Sequence, residues 1–322
     1  MSREAPRHFL TLLDLSEAEL RALLRSAARM KRNRRIGAQA LAHKSVALVF
    51  QKPSMRTRVA FEVAVLQLGG SVVYLGQEDI QLGQREPIKD VARVLSRYVD
   101  AIVVRTFTHR DAEEFATYAT VPVINGLSDL VHPCQALADL FTMEEACGRL
   151  AGKHLVYIGD GNNVLHSLIQ GGALFGMRMT VATPDGYRPD QAIWQAVATQ
   201  AKAKGGSLTW ERDPARAAQG ADILYTDVWV SMGDERERDE RMKAFKAYQI
   251  NGNLLTHAKA GCRVMHCLPA HRGEEMTHDV IEGEGSLIFD QAENRLHVQK
   301  ALLVFLLQSH QPHATKKSGV KR

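Results

Sequence analysis

At 322 residues the chain is long enough for two domains of ordinary size sharing an interface. Hydrophobic residues make up 45% and charged residues 24%, which excludes disordered, collagen-like and disulfide-scaffold classes. Lys316, Lys317, Lys321 and Arg322 supply four of the net +5 charges, so the body is nearly neutral and a nucleic-acid surface is not indicated.

In chain order, the spacing predicts a first helix over Ser16–Arg34. Ser16 is its N-cap, Glu19 stands at the capping-box position, and Leu20, Leu23, Leu24 and Ala27 form the stripe. The basic run from Lys31 to Arg35 ends it where cations suit the helix dipole. A strand over Ser45–Phe50 and a helix begun by Ser54 follow. Next come strand 71–75, a polar loop 76–86, a helix from Pro87 to Tyr98, strand 101–105, helix 110–119, strand 121–124 and a helix from Pro133 to about Cys147. Gly148–Gly152 reads as a hinge. Beyond it the pattern repeats: strand 154–158, helix 164–175, strand 179–183, helix 190–204, a short strand near Leu208, and strands 222–226, 262–266 and 286–290. A last helix from Glu293 carries Val298, Ala301, Leu302 and Phe305 on one face. Residues after Gln308 are expected to be disordered. Alternating strands and helices indicate parallel sheets covered on both faces.

Cys134, Cys147, Cys262 and Cys267 form no C-x-x-C pair, so neither a zinc knuckle nor a disulfide frame is expected and a reducing cytoplasm fits. The late apolar run Ala301–Leu307 is far too short for a membrane span. The N-terminus shows no signal-peptide core, and structure is expected from about Phe9.

The chemistry is concentrated at strand ends, where open α/β sheets bind ligands. The helix after Ser54 has Phe61, Ala64, Val65 and Leu68 as its stripe, yet its first turn is Met55-Arg56-Thr57-Arg58. Two arginines oppose the positive end of a helix dipole unless an anion sits among them. Backbone N–H groups, two hydroxyls and a guanidinium there make a phosphate site. Arg56 is expected on the ligand and Arg58 on the buried side, paired with Glu62. Arg105 ends another strand. His132-Pro133-Cys134-Gln135 opens a helix with Pro at its first position and a poor cap, His132. That is either a local cap or a donor pair that polarises a carbonyl and reads an amide. Gly159-Asp160-Gly161-Asn162-Asn163-Val164 approaches the dinucleotide fingerprint, but Val164 replaces the third glycine, leaving only Asp185 in support of an NAD-dependent dehydrogenase. Asp227 suits an ammonium, followed by a Gly-containing loop able to act as a lid. His266, Cys267 and His271 lack a second cluster at metal spacing, so no metal is expected.

As a set these residues resemble the transcarbamylases, within them the ornithine-specific branch, from about Phe9 to Leu307. The motifs are Ser-x-Arg-Thr-Arg at 54–58, His-Pro-x-Gln at 132–135, Asp-x-x-x-Ser-Met-Gly at 227–233, His-Cys-Leu-Pro at 266–269 and Glu-Asn-Arg at 293–295. Met55 departs from the usual Thr. That position acts in the family mainly through its backbone amide, so carbamoyl phosphate binding is expected to survive without any hydroxyl contact.

The resemblance implies an α/β fold of two doubly wound parallel-sheet domains of similar size, with the active site in the cleft between them. The domains are 1–148 for carbamoyl phosphate, joined by a returning C-terminal helix 293–308, and 149–292 for ornithine; 309–322 is a basic tail. Ser54, Met55, Arg56, Thr57 and Arg105 would hold the phosphate, and Arg105 and His132 the carbonyl oxygen. Gln135 and the Leu268 backbone would hold the amide, and Arg295 would also reach carbamoyl phosphate. Gln81 matches a position that reaches a neighbouring subunit's site in a homotrimer. Asn163, Asp227, Ser231 and Met232 match ornithine contacts, with Cys267 beside the substrates; Arg105, His132 and Cys267 are the implied catalytic residues. No cofactor, metal, nucleic acid or membrane is implied. Aspartate, putrescine or an N-acylated ornithine are the alternative acceptors.

Overall fold

The computed structural model describes residues 5–83, 85–231 and 235–308. Its elements in order are α1 (Glu17–Arg32), β1 (Ser45–Phe50), α2 (Met55–Gln67), β2 (Ser71–Leu75), α3 (Gln77–Ile80), α4 (Ile88–Leu95), β3 (Ala101–Arg105), α5 (His109–Tyr118), β4 (Val123–Leu127) and α6 (Pro133–Cys147). There follow β5 (His154–Ile158), α7 (Asn163–Leu174), β6 (Arg178–Ala182), α8 (Gln191–Ala203), β7 (Ser207–Trp210), α9 (Pro214–Ala217), β8 (Ile223–Thr226), α10 (Arg238–Phe245), α11 (Gly252–Leu255), β9 (Arg263–His266), α12 (His278–Ile281) and α13 (Ile288–Gln308).

The strands form two all-parallel sheets, β2-β1-β3-β4 and β7-β6-β5-β8-β9. Each is covered on both faces, which is why its central strands read as continuous apolar runs. Val46, Leu48 and Phe50 enter a core shared with α1, α2, α6 and α13, while Ala47 and Val49 enter another under α4 and α5. In the second sheet Leu155 and Tyr157 face the shared core, and Val156 and Ile158 face a third cluster around Trp229 and Phe245. The order in which successive strands are laid down reverses between β1 and β3 in the first sheet and between β5 and β8 in the second, with all strands parallel. Ligand clefts of doubly wound sheets form at such switch points.

Three expectations change. Residues 286–290 do not make a strand: Val264 forms one parallel bridge with Ser286, its N–H donating to the Gly285 carbonyl and its carbonyl accepting Leu287 N–H, both at 2.9 Å, then the Leu287 carbonyl accepts Gln291 N–H and α13 begins. The last helix therefore has 21 residues, starts at Ile288 and returns to pack on α1, α2 and α6. The fourth strand sits later than expected, because Pro122 has no N–H for a ladder and pairing with β3 begins at Val123. The polar loop 76–86 includes α3, with Asp79 accepting the Gly76 N–H.

Candidate active site

Both switch points open into one cleft of about 890 Å³. At the end of β1, Ser54 caps α2 with extended backbone; its Oγ accepts Thr57 N–H at 3.3 Å and donates to Thr57 Oγ1 at 3.1 Å. The first turn of α2 contains no acid. Arg56 lines the cleft, half-buried, and Thr57 is fully buried. Thr57 Oγ1 also accepts from an Arg295 terminal nitrogen at 2.6 Å, tying α13 to the start of α2. The Met55 side chain is 69% exposed, so its backbone, rather than its thioether, is what the cleft wall has to offer. Arg58 is a correction. Its guanidinium is exposed, bonds Glu62 at 2.8 Å and lies over the Tyr74 ring at 3.7 Å, because Thr57 rather than Arg58 takes the buried position in the first turn.

Arg105 arrives from the end of β3, where the register with β4 shifts so that Val104 faces Asn125 and Arg105 faces Leu127. Such a bulge re-aims the strand's last side chain. Arg105 and Arg295 are buried, and the Nε of each lacks a partner. Among the described residues no carboxylate pairs with Arg56, Arg105 or Arg295. Burial first, then Arg295 and Arg56, lowers the Arg105 pKa to about 10. Three cations facing each other without an anion make a site that needs one.

His132 and Gln135 stand at the start of α6. His132 caps nothing with its side chain; its backbone N–H donates to Ser167 Oγ at 2.8 Å and its Nδ1 is unpartnered. Burial, then Arg295, Arg105 and Arg56, pushes its pKa well below the usual imidazole range, so the ring is neutral. Gln135 makes no cap either: its Nε2 donates to Asp139 Oδ1 at 2.9 Å and its Oε1 has no partner. The local-cap reading of this motif fails.

On the opposite wall Asp227 follows β8. Its Oδ1 accepts Val228 N–H and the Cys267 thiol, each at 2.8 Å, and its Oδ2 accepts Asn162 Nδ2 at 2.7 Å. Burial, then Asp227, raises the Cys267 pKa well above the usual thiol range, so the sulfur is a protonated donor and not a nucleophile. Asn163 opens α7 and donates to the Ser128 carbonyl at 2.6 Å, bridging the two halves. Ser231 lines the cleft, while Met232 lies outside the described residues. Leu268 has left-handed backbone (φ 59°) and its N–H donates to His266 Nδ1 at 2.8 Å. Gly161 must be glycine for local reasons: a Cβ there would lie 2.4 Å from the Arg188 carbonyl carbon.

Ser54, Met55, Arg56, Thr57, Arg105, His132, Gln135, Asn163, Asp227, Ser231, Cys267, Leu268 and Arg295 thus line one cavity. Gln81 does not. It is exposed at the end of α3 with φ 42°, away from its own chain's cleft. The wall also includes Lys52, His166 and Arg238, which sequence reasoning passed over, and Asp160, Asn162 and His271, which it weighed only for a dinucleotide or a metal. Lys52 was findable, two residues before Ser54; Arg238 and His271 come from distant segments joined by an Arg238–Glu274 pair at 2.5 Å.

Asp227, His266 and Cys267 stand close enough to hold a metal, as do His271, Glu274 and Glu275. The first group is ill suited to one. His266 has no free nitrogen, Nε2 being on Glu275 at 3.0 Å and Nδ1 on Leu268, and the thiol holds its proton.

Residues 7–145 match the family model described as aspartate/ornithine carbamoyltransferase, carbamoyl-P binding domain, and residues 151–306 its Asp/Orn binding domain. Ornithine carbamoyltransferase of Methanoculleus marisnigri is 52% identical over 94% of this chain and 97% of its own length. The Pyrococcus furiosus relative, named ornithine carbamoyltransferase, anabolic, is 51% identical over 94% and 97%. A solved ornithine carbamoyltransferase from P. furiosus superposes with a TM-score of 0.90 at 51% identity, covering 94% of this chain and 97% of that one. N-acetyl-L-ornithine transcarbamylase complexed with PALAO matches with a TM-score of 0.84 at 34% identity, covering 93% and 99%.

Proposed function

This chain belongs to the aspartate/ornithine carbamoyltransferase family, and we propose that it transfers the carbamoyl group of carbamoyl phosphate to the δ-amine of L-ornithine, giving L-citrulline and phosphate. The observation that carries this is the trio Arg56, Arg105 and Arg295, converging without a carboxylate partner on the starts of α2 and α6, across the cleft from Asp227. Residues 1–148 with the C-terminal helix take carbamoyl phosphate, and residues 149–292 take ornithine.

The phosphate lies on the α2 N–H groups of Met55, Arg56 and Thr57, with Ser54, Arg56 and Arg105 around it. Arg105, neutral His132 and Thr57 donate to the carbonyl oxygen, whose charge grows as the amine adds to the carbamoyl carbon. Donors already fixed around a developing oxyanion are usually the largest catalytic contribution. Arg295, through its bond to Thr57, keeps that hydroxyl aimed. Gln135 Oε1 and the Leu268 carbonyl accept from the carbamoyl amide. Asp227, Ser231, Asn163 and Met232 hold the α-amino acid end. Asp227 takes the α-ammonium, because a carboxylate at the δ-amine would keep it protonated. Cys267 positions Asp227 through its thiol hydrogen bond.

The nucleophile must be neutral. An amine of pKa about 10.4 is only about 0.04% neutral at pH 7, equivalent to roughly 4.6 kcal/mol, and desolvation in the closed cleft lowers that cost. The rate therefore rises with pH through the neutral range; a rate flat from pH 6 to 9 with chemistry limiting contradicts the mechanism. No metal or cofactor enters any step. The P. furiosus relative named anabolic supports the biosynthetic direction, and four free cysteines suit a reducing cytoplasm. The enzyme assembles as a homotrimer in which Gln81 serves a neighbour's cleft; the unpaired outer edge of β2, with Val73 exposed, supports an interface beside α3.

Citrulline formation by the parent chain and by Arg56→Ala is the test. An unaltered apparent affinity for carbamoyl phosphate in the variant overturns the phosphate assignment. A substrate panel addresses the second reading, an N-acylated acceptor, which the structural neighbour of that name makes concrete. An N-acetyl substrate has no α-ammonium for Asp227, so turnover of N-acetylornithine but not ornithine reverses the choice.

A further inference from the structure

Beneath the cleft wall lies a buried polar cluster that reaches the cleft only through Gln135. Asp139 on α6 is fully buried and accepts three hydrogen bonds: Gln135 Nε2 at 2.9 Å and Gln291 Nε2 at 2.7 Å on Oδ1, and the Tyr225 hydroxyl at 2.9 Å on Oδ2. Gln291 is saturated, since its Nε2 also donates to the Tyr225 oxygen at 3.0 Å and its Oε1 accepts His266 N–H at 3.0 Å. Tyr225 is held in turn by stacking on Tyr157 with ring centroids 5.9 Å apart. Gln135 alone is left with an unpartnered acceptor, Oε1, and Gln135 alone of the four lines the cleft.

A side-chain amide has two orientations differing by the exchange of its oxygen and nitrogen. We infer that Asp139 is the positioning residue that fixes the Gln135 amide with Nε2 inward and Oε1 toward the cleft, and so sets donor specificity for a carbamoyl over an acyl group. An acceptor at Asp139 tolerates only the N–H end at 2.9 Å; the reversed amide would set oxygen against oxygen. With Nε2 held, Oε1 can accept from a carbamoyl –NH2. An acetyl group offers a methyl there and leaves that buried acceptor unpaired. A reversed Gln135 would meet the carbamoyl –NH2 with a second donor. Asp139 does not line the cleft, so its effect runs through Gln135. This inference rests on carbamoyl phosphate being the donor.

The experiment compares KM for carbamoyl phosphate with the inhibition constants of acetyl phosphate and inorganic phosphate, in the parent and in Asp139→Ala, Asp139→Ser and Asp139→Asn. Loss of one buried hydrogen bond with a partner left unpaired corresponds to roughly a 10- to 100-fold change. In Asp139→Ala the carbamoyl phosphate KM rises by about that factor with a smaller change in kcat, the signature of binding lost from ground and transition states alike. Both inhibition constants stay within about threefold, because neither ligand uses Gln135 Oε1. Asp139→Ser is the removal variant should alanine fail to fold: its hydroxyl can bond the carbonyl four residues back, as Thr142 does at 2.7 Å, without replacing the carboxylate. Asp139→Asn keeps an acceptor toward Gln135 and retains the carbamoyl-over-acetyl preference within about threefold. Equal weakening of all three ligands in the removal variants, or an unchanged preference, overturns the inference. A parent that makes no citrulline from carbamoyl phosphate overturns the proposed function as well.

Discussion

Arg105→Met separates the cost of the arginine cluster from its use. The Arg105 guanidinium is held at a pKa of about 10 against an ordinary 12.5, by burial and by two neighbouring cations. At 1.36 kcal/mol per unit that is about 3 kcal/mol of penalty on the charged form, an upper limit on what neutralising the side chain returns. Methionine keeps the unbranched apolar stem and removes the charge. For a chain of this length about 3 kcal/mol corresponds to a Tm rise of about 4 °C. The unliganded variant should therefore melt above the parent in a thermal-unfolding assay. Inorganic phosphate or carbamoyl phosphate should raise the parent's Tm by mass action and leave the variant's nearly unmoved. Turnover should fall by about 100-fold or more with the loss of a buried oxyanion donor. A variant that melts lower than the parent yet keeps the full phosphate response would refute the view of Arg105 as an uncompensated charge awaiting an anion.

Cys267→Ser should retain activity within about tenfold, since serine also donates to Asp227; loss of 1,000-fold or more would instead mark the sulfur as a nucleophile. Asn162→Ala removes the side chain that caps Val164 and Leu165 N–H and steadies Asp227, so stability should fall by about 1–2 kcal/mol in urea titration and KM for ornithine should rise more than that for carbamoyl phosphate. Burial raises the Asp139 pKa to about 7 from 3.8, so the native state binds a proton that the unfolded chain releases. That contribution is present below about pH 4 and lost as pH rises to 7, by up to about 4 kcal/mol. Asp139→Asn, neutral throughout, should gain on the parent by up to that amount between pH 4 and pH 8 in paired unfolding curves.

Local signals were read correctly where the physics is local. Ser16 with Glu19 makes the capping box, Ser54 caps α2, and Pro133 opens α6, because each depends on residues within one helical turn. Local reasoning failed where pairing or packing decided. The apolar run 286–290 has strand-like composition, but β9 offers it one bridge and the helix takes over. Arg58 has the spacing of the buried stripe, yet Thr57 takes the buried place in that turn and Arg58 lies over Tyr74. Arg238 and His271 carry no motif, and only the packing of the start of α10 against the loop after β9 brings them to the cleft.

The sequence by itself determined the α/β alternation, the family and the chemical set at the strand ends, since hydrophobic period, cap residues and motif residues are properties of neighbours along the chain. Tertiary structure alone decided which of those groups face one another and in what electrical state. The neutrality of His132, the protonation of Cys267 and the depressed Arg105 are set by burial and by charges far away in sequence, whereas the Gln135 amide is held by Asp139 one helical turn away. Arg295 illustrates why: it meets Thr57 across 238 residues of chain, a contact that exists only because α13 returns to the start of α2.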